Sequence, residues 1–287
     1  MAALKRTLDD YFSLEGRVGI ITGAGGGLCG EMARALGALG ARIAVLDLNA
    51  EAAGKCAEDI RRQGGEAEAH PCSVLDRGQL QEVEAAVRRR WGVPDFLING
   101  AGGNDPRGST SMEFLERGTA PAAGERSFFE LEPEAIDATF ALNFQGTVLP
   151  TQVFARGMIE RGSGCVLNIS SMNAFTPLTK IPAYAAAKAA VANFTRWLAV
   201  HFAHTGVRVN ALAPGFFLTE QLRFLYFDKT TGEPTPRARK VIAHTPLCRY
   251  GEPEDLLGAV IWLLSDSARF VTGTLVAIDG GFSAYSI

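Results

Sequence analysis

Residues 18–30 of the chain read VGIITGAGGGLCG. The first five of these residues are mostly apolar, which predicts a short strand buried in a sheet. Gly23, Gly25 and Gly27 follow, and glycines let the backbone turn sharply and approach another group closely. A helical pattern then runs to Leu39. Strand, glycine turn and helix in this order predict a cradle for a phosphate group, because the free N–H groups and the dipole of the helix point to one place.

The second predicted strand, residues 41–46, is followed directly by Asp47. A carboxylate in this position can accept hydrogen bonds from both hydroxyl groups of an adenosine ribose, and it repels a phosphate on the ribose 2′ oxygen. No basic residue lies in the glycine turn or directly after Asp47. We therefore expect NAD as the cofactor and NADP as the less favoured one. A tight turn without a ligand would explain the glycines but not Asp47.

Three polar residues in the second half of the chain indicate proton transfer. Tyr184 and Lys188 are four residues apart in a predicted helix and so share one face of it. Ser171 follows a predicted strand, and open α/β sheets bind ligands at the carboxyl ends of their strands. The ordinary pKa of a tyrosine is about 10, and a neighbouring ammonium in a partly dry cleft would lower that pKa toward neutrality. A tyrosine and a lysine at this spacing usually lie on the protein surface without a function, but Ser171 and the glycine turn favour a catalytic site.

Strands and helices alternate along the rest of the chain. Strands are predicted at 18–22, 41–46, 66–72, 95–98, 164–170, 207–213 and 274–278, and helices at 31–39, 50–63, 76–91, 133–161, 182–204 and 253–265. This alternation predicts an α/β fold, a doubly wound parallel sheet of seven strands with helices on both faces. One domain over 1–287 suffices for a chain of this length. Two segments, about 103–128 and 216–245, break the alternation and are predicted to be substrate loops, the second with two short helical pieces around a turn.

Composition excludes several classes of protein. The net charge of −3 argues against nucleic acid or an anionic membrane as the main partner. The first twelve residues contain no long apolar run, so we expect neither a signal peptide nor a membrane span. The five cysteines lack metal-site spacing, which predicts reduced thiols, no metal and a cytoplasmic protein.

Further motifs resemble those of the short-chain dehydrogenase/reductase family, over a region from about Leu14 to Tyr285. They are NGAG at 99–102, LNFQGT at 142–147 with Asn143, NALAPG at 210–215 followed by Thr219, and DGG at 279–281, in addition to Ser171, Tyr184 and Lys188. The resemblance implies a Rossmann-type fold and a nicotinamide-dependent oxidoreductase acting on CH–OH groups. It also implies a homotetramer in which the helices predicted at 133–161 and 182–204 pair across a dyad.

The resemblance also assigns roles to residues. Ser171 would hold the carbonyl oxygen, Tyr184 would transfer the proton, Lys188 would lower the pKa of Tyr184 and bind the nicotinamide ribose, and Asn143 would hold a water that links Lys188 to solvent. The cofactor-binding residues implied are Gly23, Gly25, Gly27, Leu28, Asp47, Leu48, Ser73, Val74, Asn99, Ala101, Gly102, Tyr184, Lys188, Pro214, Gly215, Phe217 and Thr219.

Three positions depart from the family pattern. Cys29 stands where the third spaced glycine is usual, Gly100 replaces an asparagine, and Ser73 replaces an aspartate that bonds the adenine amine. We expect somewhat weaker adenine binding, or binding through the backbone of Val74.

Segments on the substrate side, at 168–184, 213–221 and 279–286, further resemble the D-mannonate oxidoreductases, also called fructuronate reductases. The resemblance implies a sugar-acid ketone as substrate, with Asn104, Asn173 and Gln221 as candidates for its hydroxyl groups. Arg107, Lys180, Arg223 and Arg249 are candidates for its carboxylate, Lys180 first. Alternatives that stay open are another polyol or sugar-acid dehydrogenase such as a gluconate dehydrogenase, a fatty-acyl carrier ketoreductase, and a non-catalytic NAD-binding sensor.

Overall fold

The chain folds around one parallel sheet of seven strands in the order β3-β2-β1-β4-β5-β6-β7. The computed structural model describes residues 7–118, 122, 124–219, 223–228 and 230–286. The strands are β1 (Val18–Thr22), β2 (Arg42–Asp47), β3 (Glu66–Pro71), β4 (Phe96–Asn99), β5 (Gly164–Ile169), β6 (Val207–Pro214) and β7 (Leu275–Ile278). The strand order reverses between β1 and β4, and ligands bind at such a point in doubly wound sheets. The predicted fold class is confirmed.

Helices cover both faces of the sheet. They are α1 (Leu8–Phe12), α2 (Gly27–Ala38), α3 (Ala50–Arg62), α4 (Arg77–Trp91), α5 (Pro133–Phe140), α6 (Gly146–Arg161), α7 (Pro182–His201), α8 (Arg223–Tyr226), α9 (Pro236–His244) and α10 (Leu257–Leu264). Neighbouring side chains of β1 point to opposite faces, as in any strand. Ile21 is buried in the core formed with α2, α3 and α10. Ile20 is buried in the core formed with α4, α6 and α7.

The predicted helix 133–161 contains a π-helical turn. α5 ends at Phe140, a π-helical turn occupies Ala141–Gln145, and α6 begins at Gly146. A π-turn accommodates one extra residue in a helix and is frequent at functional sites. Here it contains Asn143, whose carbonyl accepts a hydrogen bond from the Thr147 hydroxyl at 2.9 Å. The predicted helix is therefore present from 133 to 161, and the π-turn within it is a feature that the sequence did not indicate.

The two predicted substrate loops contain only short elements. The first has a 3₁₀ turn at Pro106–Gly108, and the second has α8 and α9, which matches the two helical pieces expected there. An ion pair between Glu113 of the first loop and Lys240 of α9 joins the two loops, with 2.5 Å between Oε2 and Nζ. Within the described part of the chain, no helix has the length and apolar character needed to cross a membrane.

Candidate active site

The glycine turn between β1 and α2 is shaped so that side chains do not fit. Gly23 has a φ of +69°, a left-handed conformation that favours glycine. A Cβ on Gly25 would lie 2.7 Å from the Cβ of Ala52, and one on Gly27 would lie 2.9 Å from the Cβ of Thr219. The turn thus exposes its backbone at the N-terminus of α2, where N–H groups and the helix dipole attract phosphate. These contacts fit the predicted phosphate cradle.

Asp47 at the end of β2 is held in place by two backbone amides. Its Oδ2 accepts a hydrogen bond from the N–H of Gly25, and its Oδ1 accepts one from the N–H of Asn49, each at 2.9 Å. A carboxylate oxygen has two lone pairs, so both oxygens can still accept a ribose hydroxyl. Asp47 therefore connects the glycine turn to the end of β2 and keeps its negative charge beside the cradle.

The residues expected to bind the adenine end of the cofactor differ in burial and in hydrogen bonding. Leu48 is 79% exposed. The N–H of Ser73 donates to Oε1 of Gln79 at 2.8 Å, and the Ser73 hydroxyl accepts from the N–H of Leu75 at 3.2 Å. Val74 is buried, and a Cβ on Gly146 would lie 2.9 Å from its Cγ2. The start of α6 thus fixes the position of Val74. The side chain of Ser73 is used in a hydrogen bond within a local turn.

Two departures from the family pattern, Cys29 and Gly100, are in contact with each other. A Cβ on Gly100 would lie only 2.1 Å from the Sγ of Cys29. The thiol of Cys29 is buried, and burial raises its pKa to about 12, so it stays neutral. Cys29 fills the space that a side chain at position 100 would need, and the two substitutions therefore compensate for each other.

The turn after β4 divides its residues between the core and the cleft. The amide nitrogen of Asn99 donates to the Thr151 hydroxyl and to Oδ1 of Asn168, each at 2.9 Å. The Asn99 side chain is thus turned into the core, so any contact it makes with a cofactor is through its backbone. The hydroxyl of Thr22 accepts from the N–H groups of Gly100 and Ala101 at 3.0 and 3.2 Å. This holds the turn against the end of β1.

The four predicted catalytic residues converge beyond this turn. A Cβ on Gly102 would lie 2.6 Å from Oδ1 of Asn143 and 3.2 Å from Nζ of Lys188. The Lys188 ammonium lies 5.6 Å from the centre of the Tyr184 ring and donates to the carbonyl of Ile169 at 2.9 Å. Ser171 lies near enough to Tyr184 to act on the pKa of its phenol. Lys188 and Ser171 are 4% and 7% exposed, so these groups act in the partly dry cleft that the sequence requires.

Burial dominates the pKa values of this cluster. Burial raises the pKa of Tyr184 above its ordinary value of 10.0, and the nearby Ser171 side chain opposes that rise. Burial lowers the pKa of Lys188 from 10.5 to about 8, and the nearby Cys29 opposes that fall. Lys188 is not among the groups that shift the pKa of Tyr184 here, so the expected lowering by its ammonium is not found. Tyr184 is therefore protonated at neutral pH and suited to donate a proton.

Asn143 is fully engaged with the protein. Its side-chain nitrogen donates to the carbonyls of Gly103 and Thr139 at 2.6 and 2.8 Å, and its Oδ1 accepts from the N–H of Gly103 at 3.3 Å. Both N–H groups of the amide are used in this way. Asn143 therefore clamps the root of the first substrate loop. The resemblance implies a structural asparagine at this position as well as a water-holding one, and the clamp fits the structural role.

The segment after β6 packs against the end of β7 and against the glycine turn. The N–H of Gly215, next to Pro214, donates to the carbonyl of Ile278 at 2.9 Å. A Cβ on Gly215 would lie 2.6 Å from the Cβ of Asp279, which explains the glycine. Thr219 is buried beside Gly27, but Phe217 packs its ring in the core against Gly251. Phe217 can thus serve a cofactor only through its backbone.

A model of the short-chain dehydrogenase/reductase family, described as enoyl-(acyl carrier protein) reductase, matches residues 23–283. The chain belongs to this family. It is accordingly an oxidoreductase that acts on alcohol and carbonyl groups, and family members use a nicotinamide dinucleotide.

Similar proteins include one named only an uncharacterized oxidoreductase, from Haemophilus influenzae, which is 49% identical over 96% of this chain and 95% of its own length. The crystal structure of a Haemophilus protein provisionally named a D-mannonate oxidoreductase, with bound NAD, is 49% identical with a TM-score of 0.91 and covers 96% of this chain and 97% of its own. A gluconate 5-dehydrogenase from Burkholderia cenocepacia, in complex with NADP and tartrate, is 32% identical with a TM-score of 0.81 and covers 96% and 99%.

The substrate candidates are placed less uniformly than the catalytic ones. Asn104 is exposed, and its side-chain nitrogen donates to the Ser109 hydroxyl at 2.9 Å. Asn173 is 6% exposed, and its N–H donates to the Ser171 hydroxyl at 3.2 Å. No hydrogen-bond partner for Oδ1 of Asn173 is found in the described part of the chain. Gln221 lies outside the described residues.

Three of the four candidate cations already have partners. Arg107 pairs with Asp105 at 2.8 Å and with Glu132 at 3.2 Å, and Arg249 pairs with Asp255 at 2.6 Å. Arg223 lies over the ring of Phe227, 5.2 Å from its centre. Lys180 is half-buried, and its carbonyl accepts from the N–H of Thr110 at 2.9 Å. Its ammonium contributes to lowering the pKa of Glu113, after the larger effect of Lys240.

Proposed function

We propose that the protein is an NAD-dependent oxidoreductase that interconverts a sugar-acid ketone and its secondary alcohol, D-fructuronate and D-mannonate. The observation that carries this proposal is the set of Ser171, Tyr184 and Lys188 beside the root of the first long loop, with Ser171 and Lys188 buried and Tyr184 partly buried. The Haemophilus structure named for D-mannonate supports the substrate, and the Burkholderia enzyme with tartrate supports hydroxy acids as a class.

The residues at the end of β1 and β2 fit a nicotinamide dinucleotide. The backbone at the N-terminus of α2, which begins at Gly27, would hold its pyrophosphate, and the Asp47 carboxylate would hold its adenosine ribose. When bound, the nicotinamide ring supplies or accepts a hydride at C4. Because Asp47 repels a 2′-phosphate, the geometry favours NAD over NADP.

Ser171 and Tyr184 handle the oxygen of the substrate. The Ser171 hydroxyl donates a hydrogen bond to the ketone oxygen and stabilises the negative charge that develops on it. Tyr184 donates its proton to the same oxygen as the alcohol forms, and in the reverse direction it accepts that proton. The raised pKa of Tyr184 fits the reductive direction, in which a protonated phenol is needed at the start.

Lys188 and Asn143 organise the base of the cleft. A lysine with a pKa of about 8 is mostly charged at neutral pH, so it can bind a ribose hydroxyl and replace the proton that Tyr184 gives up. Asn143 keeps the Gly102–Gly103 backbone against Lys188. The carboxylate of the substrate pairs with Lys180, since Arg107 and Arg249 are each neutralised by a carboxylate within the chain.

A second candidate substrate is a keto-gluconate. The gluconate 5-dehydrogenase structure favours it, because the two chains share the fold with a TM-score of 0.81 and are 32% identical. The two candidates differ in the sugar acid and not in the chemistry. A sensor without catalytic activity fits less well, because the whole proton-transfer set is present and in contact.

The protein acts as a homotetramer in this proposal. Trp197 and Val200 on α7 are 56% and 78% exposed, and a second copy of the helix would cover them. Sedimentation equilibrium of the purified protein tests this, and a monomer at micromolar concentration would contradict it.

The proposal is tested by following NADH oxidation with a panel of 2-keto and 5-keto sugar acids, with product identification by NMR. We expect D-fructuronate to be reduced to D-mannonate with the highest kcat/KM of the panel. Preference for 5-keto-D-gluconate would support the second candidate, and reduction of no sugar acid would reject both.

A further inference from the structure

The first substrate loop runs along one face of α5 and the π-turn. Gly103 is clamped by Asn143 through both its N–H and its carbonyl. Two residues further on, the N–H of Asp105 donates to the hydroxyl of Thr139 at 3.3 Å. Gly108 then lies over Ala135, since an added Cβ would be 3.5 Å from the Ala135 carbonyl carbon. The loop therefore meets the helix at positions 143, 139 and 135, one helical turn apart.

This match has a simple geometric basis. Two residues of extended chain span about 6.6 Å, and four residues of α-helix span about 6 Å. Every second residue at the start of the loop can therefore reach every fourth residue of the helix. Arg107 extends the contact by pairing with Glu132 at 3.2 Å, next to the N-terminus of α5.

Thr139 is the residue that joins these contacts. It is 2% exposed, and its hydroxyl donates to the carbonyl of Ala135 at 2.8 Å while accepting from Asp105. Its own carbonyl accepts the side-chain N–H of Asn143 at 2.8 Å. Thr139 thus holds Asp105 directly and supports the Asn143 side chain that holds Gly103.

Asn104 is the residue between the two clamped positions. It is exposed, and its side-chain nitrogen is held by Ser109. Its Cα lies within about 7.6 Å of the Cα of Gly102, because each trans peptide spans about 3.8 Å. Gly102 contacts Asn143 and Lys188. The distance from Asn104 to the reacting groups is therefore about the length of one sugar molecule. Its Oδ1 is bonded to no residue of the described part of the chain in the structure, and it can accept a hydroxyl.

We infer that Thr139 is a positioning residue for substrate recognition: it fixes the backbone on both sides of Asn104, whose amide binds a substrate hydroxyl near the reacting carbonyl. The inference rests on the proposed function for the presence of that hydroxyl. It concerns this chain's own loop, and Thr139 touches neither substrate nor cofactor.

The kinetic test compares Thr139→Val with Thr139→Ser. Valine keeps the shape of threonine but removes the hydroxyl, so we expect the KM for the keto sugar acid to rise about 2- to 12-fold, the range for one lost hydrogen bond of about 0.5 to 1.5 kcal/mol. The kcat and the KM for NADH should change less than twofold. Thr139→Ser keeps the hydroxyl and should restore the KM. A rise in the KM for NADH, or no rise for the sugar acid, would overturn the inference.

A double-mutant cycle separates positioning from general loosening. Asn104→Ala should raise the KM for the sugar acid, and adding Thr139→Val to it should raise that KM no further. Equal effects of Thr139→Val in both backgrounds would contradict a role through Asn104.

Amide hydrogen exchange gives a readout that needs no substrate. Peptides covering 103–108 should exchange faster in Thr139→Val than in the wild type or Thr139→Ser, and unchanged exchange would overturn the inference. If the wild type reduces another carbonyl compound but no sugar acid, the proposed function is wrong. The same double-mutant cycle with that compound then tests the positioning role of Thr139.

Discussion

The catalytic segment from Ser171 to Lys188 and the first substrate loop are joined by the hydrogen bond from the N–H of Thr110 to the carbonyl of Lys180, but they are held in place by different forces. In the catalytic segment the Ser170 hydroxyl donates to the Lys188 carbonyl at 2.9 Å, and the Lys188 ammonium donates to the Ile169 carbonyl, all in the buried interior. The outer loop is held by the pairs of Arg107 with Asp105 and of Lys240 with Glu113, whose cations are 55% and 69% exposed.

This difference has consequences for function. Exposed ion pairs contribute about 0 to 1 kcal/mol each, whereas an unsatisfied buried polar group costs about 1 to 3 kcal/mol. The catalytic segment therefore tolerates little change, and the outer loop tolerates much. The root of the loop is held by buried Thr139 and Asn143. It therefore joins the part of the chain that tolerates little change to the part that tolerates much. Specificity can change in the loop while the chemistry is preserved.

The largest expected effect is at Tyr184. Tyr184→Phe should lower kcat by about 10² to 10⁴, the usual contribution of a general acid or base, because the ring stays in place while the proton donor is lost. NADH binding, measured by fluorescence titration, serves as the control and should be unchanged. Turnover near that of the wild type would remove Tyr184 from its role.

A second prediction concerns the buried charge of Lys188. Its pKa is about 8 in the folded protein and 10.5 ordinarily, so between these values the unfolded chain binds more protons. The free energy of unfolding contributed by this group therefore rises with pH from about 8 to about 10.5, by about 3 kcal/mol in total. Urea unfolding of the wild type and of Lys188→Met across this range measures the difference. Parallel curves for the two proteins would show that burial of the charge was misread.

The contact between Cys29 and position 100 predicts a stability effect that does not involve the outer loop. Gly100→Ala should lower the free energy of unfolding by about 1 to 3 kcal/mol, because its Cβ would overlap the thiol of Cys29. Combining it with Cys29→Gly should recover part of that loss. The matched control is Gly103→Ala, whose Cβ would meet nothing nearer than the Leu142 Cδ2 at 3.6 Å. Strictly additive losses in the Gly100–Cys29 pair would contradict the compensation.

The smallest expected effect is at Asp47. Asp47→Asn removes the charge that repels a 2′-phosphate, an interaction of about 1 to 2 kcal/mol across a solvated gap, so the preference for NADH over NADPH should fall about tenfold. The ratio of kcat/KM for the two cofactors measures it. Equal use of both by the wild type would show that the end of β2 was misinterpreted.

The sequence predicts those parts of the molecule whose signals are local. The strands follow from short apolar runs, and Ser171, Tyr184 and Lys188 follow from a strand end and one helical turn. The contact between Cys29 and Gly100 depends on how two separate segments pack, which neither segment reveals alone. Thr139 was missed because a buried threonine in a helix has no distinctive pattern, and its importance comes from the π-turn beside it. The only sequence feature that could have indicated Thr139 is its spacing of four residues from Asn143.

The carboxylate candidates show a further limit of sequence reasoning. The sequence ranks Lys180 first because it lies between Ser171 and Tyr184, but it does not show whether the charges of Arg107 and Arg249 are free. The structure separates the three candidates, because Asp105 and Asp255 lie where they neutralise the two arginines. Such pairs form between neighbouring turns of a loop, and loop conformation is not encoded in a periodic pattern.

The proposed substrate is a sugar-acid ketone whose carboxylate pairs with Lys180. The most direct measurement is the ratio of kcat/KM for D-fructuronate to that for the neutral ketose D-fructose, with NADH. A charge-assisted hydrogen bond contributes about 1.5 to 3 kcal/mol, so the wild type should prefer fructuronate about 10- to 150-fold, and Lys180→Met should remove most of that preference while Arg107→Met should not. Equal reduction of the two ketoses by the wild type would contradict the claim.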